Sequence, residues 1–468
     1  MSTTNILGPG DPPPTSRTAA FAYDYRYTLP TDDARKLSFY SSKYRLGSFI
    51  DVRTHIRVGD VGLSVEQMVG PTLIVGPTQA GKTTSLIAPW LATAIANGWS
   101  AVAVDVKGDL MAAVGRCLRL RGRYDDARTI VLDARGRGTA SWQWVKDATS
   151  SPTGREAVVA SLLGRAPPRN ISDPALWHRD VRYLRGLLEL AAHRRLESAQ
   201  DLLRVLRSRD ALEDALASMS QDNALADLLQ FDLPDDFARR TEVISAMLDG
   251  VVSESAASSD ARAFELASFF REPTFLCVLS PVAEEPRSAS FAGLALTLLL
   301  EKGYRHFGAP PARPVLLAVD EAARMANRLN LEEIASYSAG AGLRPVFALQ
   351  DLAQAQQPGG MTSQLSTLAS NATTMIVMEG SSPATAAGLI GRLGRIDVPF
   401  RDRTVTNWQS FNPSHTDAYR LEQRSALGER EITAPPFGPR TAVVHARKVS
   451  NLPFLVDLTR GDLRAHSI

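Results

Sequence analysis

The sequence predicts an α/β protein in which helices cover both faces of a mostly parallel, doubly wound sheet. Short apolar runs rich in β-branched residues alternate with helical patterns, which is typical of βαβ units and unlike a series of hairpins. Some runs, such as TLIV at 72–75 and VLLAV at 315–319, are apolar at every position. Continuous apolar character indicates strands that are buried on both faces, as in a sheet between two helical layers.

Several segments have the length and composition of such strands. These predicted strands are residues 72–75, 101–105, 129–133, 274–280, 315–320, 345–350, 374–378 and 442–445. Residues 145–265 are too many for a connection and repeat apolar residues at spacings of three and four, which predicts an inserted all-α domain. We therefore expect a tail and lead-in over 1–45, a sheet domain in two parts over 46–144 and 266–468, and the helical domain over 145–265.

Composition narrows the class of protein. The chain has 468 residues, 44% hydrophobic and 22% charged, which is typical of a folded globular protein. Its formal net charge of +2 is too small for the chain as a whole to attract a polyanion such as nucleic acid. Cys117 and Cys277 are far apart and lack the spacing of metal ligands, which argues against a disulfide framework and a zinc ribbon. Neither HExxH nor GxSxG occurs, so the sequence does not support a metallohydrolase or a serine hydrolase. A reducing cytoplasm is the expected location.

One segment is long and uncharged enough to suggest a membrane span. Residues 83–104 contain no charged side chain, but Asn97 and Gly98 interrupt them and residues 100–104 are typical of a strand. We interpret the segment as a helix followed by a strand. The first residues have no basic region followed by an apolar one, so we expect a flexible tail and no secretory signal.

Charge is unevenly distributed within the helical insertion. Residues 210–236 contain eight acidic side chains and no Lys or Arg, whereas residues 155–209 contain eleven Arg and six acidic side chains. Two interpretations remain open, namely solvated helix faces and a docking surface for a charged partner.

The strongest chemical signal is a phosphate loop with the spacing GxxxxGK[ST]. It consists of Gly76, Pro77, Thr78, Gln79, Ala80, Gly81, Lys82, Thr83 and Thr84. Glycines let backbone N–H groups surround phosphate oxygens, and the following helix directs its positive end at them. Lys82 is expected to reach the β- and γ-phosphates of ATP, and Thr83 to hold Mg²⁺. Pro89 should kink the helix.

Polar side chains end two later strands. Asp320 and Glu321 follow VLLAV, which predicts that Asp320 holds the Mg²⁺ shell and that Glu321 polarises the attacking water. Gln350 ends the next strand and is expected to bond the γ-phosphate or that water. The alternative for Gln350 and the residues after it is a polar helix start.

Taken together, these motifs resemble the coupling-protein ATPases of type IV secretion and bacterial conjugation, the TraG/TraD class. The resemblance is carried by the phosphate loop, VDVKGDL at 104–110, VDEAARMANRLNLEEI at 319–334, GLRPVFALQDLAQ at 342–354 and SNAT at 370–373. It implies a RecA-like nucleotide-binding domain with an all-α insertion, forming a homo-oligomeric ring such as a hexamer. The ring would use ATP to deliver single-stranded DNA or a relaxase-type protein to a secretion channel or membrane partner.

Two departures from the class bear on these expectations. Members usually begin with transmembrane helices, which this sequence does not show. Three interpretations stay open: a soluble variant, a protein that uses a separate membrane partner, and a protein of another DNA-processing system. A cytoplasmic location is expected, and recruitment to the inner face of the membrane stays open. The class has an arginine finger three residues before the Gly that matches Gly342, and Ala339 stands there. Arg324, Arg328 and Arg344 are the candidate replacements. Two other functions remain open, a nucleotide-switched adaptor and a soluble DNA-handling ATPase of a defence or segregation system.

Overall fold

A computed structural model confirms the α/β class and every strand predicted from the sequence. It describes residues 43–51, 56–120, 129–134, 138–164, 167, 173–217, 219, 224–230, 234–251, 263–281, 287–309, 313–325, 329–356, 367–406, 414–425, 427–435, 440–450 and 452–458. The strands are β1 (Tyr44–Asp51), β2 (Ile56–Leu63), β3 (Thr72–Val75), β4 (Ser100–Asp105), β5 (Thr129–Leu132), β6 (Ser141–Trp142), β7 (Ala263–Phe264), β8 (Phe275–Leu279), β9 (Val315–Val319), β10 (Leu343–Leu349), β11 (Thr374–Met378), β12 (Arg395–Thr406), β13 (Ser414–Ser425), β14 (Thr441–Ala446) and β15 (Phe454–Asp457).

The main sheet has eleven strands in the order β2-β1-β15-β14-β11-β3-β10-β9-β4-β8-β5. The seven strands from β11 to β5 are mutually parallel, whereas β14, β15, β1 and β2 extend the sheet in antiparallel pairs. Strand β10 lies between β3 and β9, with Phe347 opposite both Leu73 and Val319. The carboxyl ends of these three strands therefore meet at one edge.

Helices cover both faces of the sheet. They are α1 (Ala88–Ala96), α2 (Leu110–Leu120), α3 (Trp144–Thr149), α4 (Pro152–Leu163), α5 (Pro174–Arg194), α6 (Ala199–Val205), α7 (Arg209–Leu216), α8 (Pro234–Gly250), α9 (Leu266–Phe269), α10 (Arg287–Tyr304), α11 (Ala322–Met325), α12 (Leu331–Tyr337), α13 (Pro383–Leu393) and α14 (Glu429–Thr433). Successive strand residues alternate between two apolar cores, which is why the strands are apolar at every position: Leu73 belongs to the core with α10, and Ile74 to the core with α1 and α2.

The strands that sequence analysis missed lie outside the parallel core. β1 and β2 form an edge hairpin, and β15 joins it to β14. β12 and β13 pair over twelve residues each as a separate two-stranded sheet. Glycines and charged residues interrupt the sequence of β1 and β2, so their strand pattern is weak.

The two ends of the helical insertion meet in a short stem, which consists of the strands β6 and β7. β6 pairs in parallel with β7, and the carboxylate of Asp147 accepts hydrogen bonds from the indole N–H of Trp142 at 2.9 Å and the backbone N–H of Leu266 at 3.1 Å. These contacts join the two ends of the insertion. Helix α4 of the insertion packs along α10 of the sheet domain, so the insertion and the sheet share one continuous core.

Between the stem strands of the insertion, the regular elements among the described residues are all helices. Charges from its basic and acidic stretches meet where Arg182 contacts Asp227 at 2.6 Å, so part of the predicted charge asymmetry is neutralised internally. The domain bounds stay a prediction.

No described helix is both long and apolar enough to cross a bilayer. The uncharged segment 83–104 is a π-helical turn, α1 and β4, which confirms its interpretation as helix and strand. The predicted flexible tail falls in residues 1–42, outside the described residues.

Candidate nucleotide-binding site

The candidate site lies where β3, β10, β9 and β4 end. The phosphate loop follows β3, Gln350 follows β10, Asp320 and Glu321 follow β9, and Asp105 closes β4. The backbone N–H of Gly76 donates to the carbonyl of Leu349 at 3.2 Å, which joins the start of the loop to the end of β10. The crevice beyond the carboxyl ends of parallel strands is where ligands bind in open α/β sheets.

The phosphate loop has backbone conformations that favour small residues at two positions. Gly81 has a φ of 92°, a left-handed conformation that its missing Cβ permits. A Cβ on Gly76 would lie 2.7 Å from the Cβ of Met378 on β11, so only glycine lets the loop leave the sheet along this path. Gln79 also has a positive φ, 67°, between the two glycines. The local strain marks a backbone held in an unusual shape.

The loop leads into a π-helical turn, Lys82–Ile87, which becomes α-helix at Ala88. Pro89 is at the first turn of α1 and has no N–H to donate to the carbonyl four residues earlier. The helix geometry thus changes from π to α one residue before Pro89, and the predicted kink stays a prediction.

Lys82 is almost completely buried in the loop that precedes it. Its ammonium donates to the backbone carbonyls of Gly76 at 2.5 Å and Pro77 at 2.9 Å. Burial lowers the pKa of Lys82, and Lys107 lowers it further, whereas Asp320 and Glu321 oppose these effects. A buried ammonium held by carbonyls that water or phosphate oxygens can replace is ready to bind an anion.

Thr83 and Asp320 come into direct contact although 237 positions separate them. The Thr83 hydroxyl donates to Oδ2 of Asp320 at 2.8 Å, and Oδ1 of Asp320 is buried without a hydrogen-bond partner. A hydroxyl beside a buried carboxylate with one unpaired oxygen is a suitable donor set for Mg²⁺, which takes one or two protein ligands and completes its shell with water and phosphates. Within the described ranges no group of three or more His, Cys, Asp and Glu side chains could hold a metal ion by itself.

Glu321 occupies a strained position with both carboxylate oxygens engaged. Its φ is 62°, a left-handed conformation that is uncommon for a residue with a side chain. Oε2 accepts a hydrogen bond from the Gln350 amide at 2.8 Å, and Oε1 lies 3.6 Å from the ammonium of Lys107. Glu321 is therefore aimed into the site between two side chains from neighbouring strand ends.

Sequence analysis did not assign a role to Lys107. The carboxylate of Asp105, two residues earlier, accepts hydrogen bonds from the backbone N–H groups of Lys107, Gly108 and Leu110 at 3.1, 2.7 and 3.0 Å. Burial raises the pKa of Asp105, and the backbone N–H donors oppose that rise. The sequence feature that could have indicated Lys107 is its position in VDVKGDL, a turn between an apolar strand and a helix.

Two of the three arginines proposed to replace the arginine finger, Arg344 and Arg324, are among the described residues, and these two lie apart. Arg344 is near the amino end of β10, at the opposite edge of the sheet from the phosphate loop, and donates to the carbonyls of Val65 at 3.4 Å and Leu343 at 3.0 Å. Arg324 is partly buried and lies on α11, the helix that begins directly after Glu321. Arg328 lies outside the described residues. Arg324 is thus the described candidate at the end of the sheet where the phosphate loop lies.

Residues 314–436 match the family model described as the TraM recognition site of TraD and TraG. This segment contains Asp320, Glu321 and Gln350, and the match confirms the predicted resemblance to the TraG/TraD class of coupling proteins. A search of the curated proteins finds no match to the chain.

Solved coupling proteins have the same fold as this chain. The bacterial conjugative coupling protein TrwBΔN70, in an unbound monoclinic form, matches at a TM-score of 0.64 and 18% identity over 91% of each chain. TrwB in complex with ADP and Mg²⁺ matches at a TM-score of 0.61 and 17% identity, covering 85% of this chain and 87% of the other. TrwB with the non-hydrolysable ATP analogue ADPNP matches at 0.59 and 18% over the same shares.

Proposed function

We propose that this chain, which carries the TraG/TraD segment on the fold of a conjugative coupling protein, is a Mg²⁺-dependent ATPase that powers delivery of single-stranded DNA or protein. The observation that carries the proposal is the convergence of the phosphate loop with Asp320, Glu321 and Gln350 at one edge of the sheet. ATP and Mg²⁺ are proposed because the donor set fits them, and the relative TrwB has been solved with ADP and Mg²⁺.

Each side chain has a proposed role that follows from its position. Lys82 would exchange its bonds to the loop carbonyls for bonds to the β- and γ-phosphates. Thr83 and Asp320 would hold Mg²⁺, which neutralises the charge on the phosphates when it is bound. Glu321 would accept the proton of the attacking water, and Gln350 would keep its carboxylate in place.

The partners are proposed from the resemblance. The matched segment is described by the recognition of TraM, so a protein partner is proposed to bind within residues 314–436. Single-stranded DNA, a relaxase-type protein and a channel or membrane component are proposed as cargo and receiver. A homo-oligomeric ring, recruited to the inner face of a membrane, is proposed because delivery needs several coordinated sites, and Arg324 is the proposed donor of a cation to a neighbouring subunit.

The ATP hydrolysis rate, measured with and without single-stranded DNA, tests this proposal together with the mass of the protein in solution with Mg²⁺ and ATP. A motor is expected to hydrolyse ATP faster on single-stranded DNA and to assemble when ATP is present. A nucleotide-switched adaptor would hydrolyse slowly and ignore DNA. The pair of Asp320 and Glu321 favours hydrolysis over a passive switch, because an adaptor needs no residue to activate water.

If DNA stimulates hydrolysis but no secretion partner binds, the chain belongs among the DNA-handling ATPases of defence or segregation systems. A pull-down with the purified channel components of a conjugation system separates these two outcomes.

A further inference from the structure

We propose that Lys107 is a second cation for ATP, one that binds the γ-phosphate from within the same subunit. The inference rests on the proposed function, since it names a further residue of that site. The juxtaposition that carries it is the ammonium of Lys107, which lies 3.6 Å from the carboxylate of Glu321 at the strand ends where the phosphate loop also begins.

The backbone of Lys107 is fixed at the site. β4 pairs in parallel with β9, with Val104 opposite Val319, so the residues that follow the two strands emerge side by side. The Asp105 carboxylate accepts three hydrogen bonds from backbone N–H groups of the turn that follows, which stabilises this turn. Gly108 has a φ of 81°, a left-handed conformation within the same turn. The turn thus holds Lys107 beside Glu321 by local bonding.

The side chain of Lys107 remains available to a ligand. It is 42% exposed, and the 3.6 Å between its Nζ and Oε1 of Glu321 is longer than a hydrogen bond. A half-exposed ion pair without a hydrogen bond contributes little to stability, so the ammonium can leave Glu321 for a more strongly charged partner. A terminal phosphate with several anionic oxygens is such a partner.

The strand ends present two lysine ammonium groups to an anion. Lys82 is buried beside the phosphate loop, and Lys107 is half exposed beside Glu321. A terminal phosphate bound at these strand ends would accept hydrogen bonds from both. Lys82 enters from the loop and Lys107 from the end of β4, so the two cations approach from different strands.

Movement of Lys107 to the γ-phosphate would also change Glu321. Oε1 of Glu321 would lose its cationic neighbour, while Oε2 would keep its hydrogen bond to Gln350. The freed oxygen can then accept a proton from water. ADP has no γ-phosphate, so the contact with Lys107 would distinguish ATP from ADP at the site that performs the chemistry.

Binding affinities test this inference without relying on turnover. Lys107→Gln in the full chain removes the charge and keeps most of the side-chain length. The dissociation constants for Mg²⁺ with the β,γ-imido analogue of ATP, and for Mg²⁺ with ADP, are measured by calorimetry. We expect about a tenfold loss of affinity for the imido analogue, as for one charged hydrogen bond, and less than about a twofold change for ADP.

Lys146→Gln is the matched control, because Lys146 is an exposed lysine paired with Glu265 at 2.7 Å outside the nucleotide site. It should leave both affinities unchanged. The Lys107→Gln change is repeated in a Glu321→Gln background, where the ion pair is already absent. A selective loss that persists there supports direct binding of the γ-phosphate.

Four results would overturn the inference. Equal losses for both nucleotides would show that Lys107 maintains the loop or binds other phosphates. A loss that disappears in the Glu321→Gln background would show that Lys107 only positions Glu321. If the parent protein binds neither nucleotide, the proposed function and this inference both fail. If the parent and its Lys107→Gln variant prefer the imido analogue over ADP by the same factor, only the role of Lys107 fails.

Discussion

The side-chain amide of Gln350 donates a hydrogen bond of 2.8 Å to the carboxylate of Glu321, although the two residues end different strands. β10 and β9 are parallel neighbours, so their carboxyl ends bring the two side chains together. Glu321 is held at a φ of 62°, and the amide restrains its side chain as well. The pair therefore fixes one oxygen of the proposed general base before any ligand binds.

Replacing Gln350 by Ala should lower the turnover of ATP about tenfold while nucleotide affinity stays within about twofold, because Glu321 loses one restraint but Lys82 keeps its position. Steady-state rates measure turnover, and calorimetric binding of the β,γ-imido analogue of ATP with Mg²⁺ measures affinity. If affinity falls as much as turnover, Gln350 contacts the nucleotide directly, as in the other sequence-based expectation.

Lys82→Ala and Glu321→Gln should fail differently. Lys82→Ala is expected to abolish productive binding, since its ammonium contacts the ground-state phosphates. Glu321→Gln should keep binding and lose about 10²–10⁴ in turnover, the usual contribution of a general base. Equilibrium binding and single-turnover hydrolysis distinguish the two defects, and near-normal turnover by Glu321→Gln would refute its assignment.

Gly76→Ala should disrupt the phosphate loop, because the added Cβ would lie 2.7 Å from that of Met378. Separating β3 from β11 is expected to cost about 1–3 kcal/mol in the free energy of unfolding and to weaken nucleotide binding. Gly391→Ala on α13 is the control, since its Cβ would have nothing within 4 Å. Urea denaturation of both variants checks the prediction, and equal stabilities would contradict it.

Asp147→Ala should destabilise the stem of the helical insertion. It leaves the N–H groups of Trp142 and Leu266 buried without their acceptor, which should cost about 1–3 kcal/mol. Glu213→Ala, at an exposed position on α7, should change stability by less than about 0.5 kcal/mol. Urea midpoints compare the two.

Deleting residues 145–265 should expose the face of α10 against which α4 packs. The stability of the deletion variant must therefore be measured together with its binding of a partner.

His445 should make stability depend on pH. It accepts a hydrogen bond from Nε of Arg392 at 3.1 Å, and burial, aided by Arg392 and Arg447, lowers the pKa of His445 from 6.5 to about 4. Between these values only the unfolded chain binds the proton. The free energy of unfolding therefore falls as the pH drops from about 6.5 to about 4, by at most about 3 kcal/mol, and this contribution is complete above 6.5.

Chemical denaturation across this pH range measures the slope for the parent, His445→Gln and His178→Gln, the last at an exposed position of α5. His445→Gln should flatten the slope, and His178→Gln should retain it. Equal slopes for all three proteins would show that His445 titrates alike in the folded and unfolded chain.

Much of the core was predictable because its signals are local. The strand TLIV, the phosphate loop and the helix after it are consecutive, so steric and hydrogen-bonding preferences of neighbouring residues favour them wherever they lie. The strands between two helical layers were also evident, since burial on both faces requires apolar residues at every position. The roles of Lys82, Thr83 and Glu321 remain predictions that the geometry supports.

The sequence by itself determined the fold class, the parallel strands and the types of side chain at the site. Only the tertiary structure decided that β1, β2 and β15 extend the sheet, that Arg344 faces the edge away from the phosphate loop, and that Lys107 meets Glu321. The reason is physical. A residue's local preferences act through its chain neighbours, whereas strand order and contacts such as that of Thr83 with Asp320 depend on the packing of segments far apart in the chain.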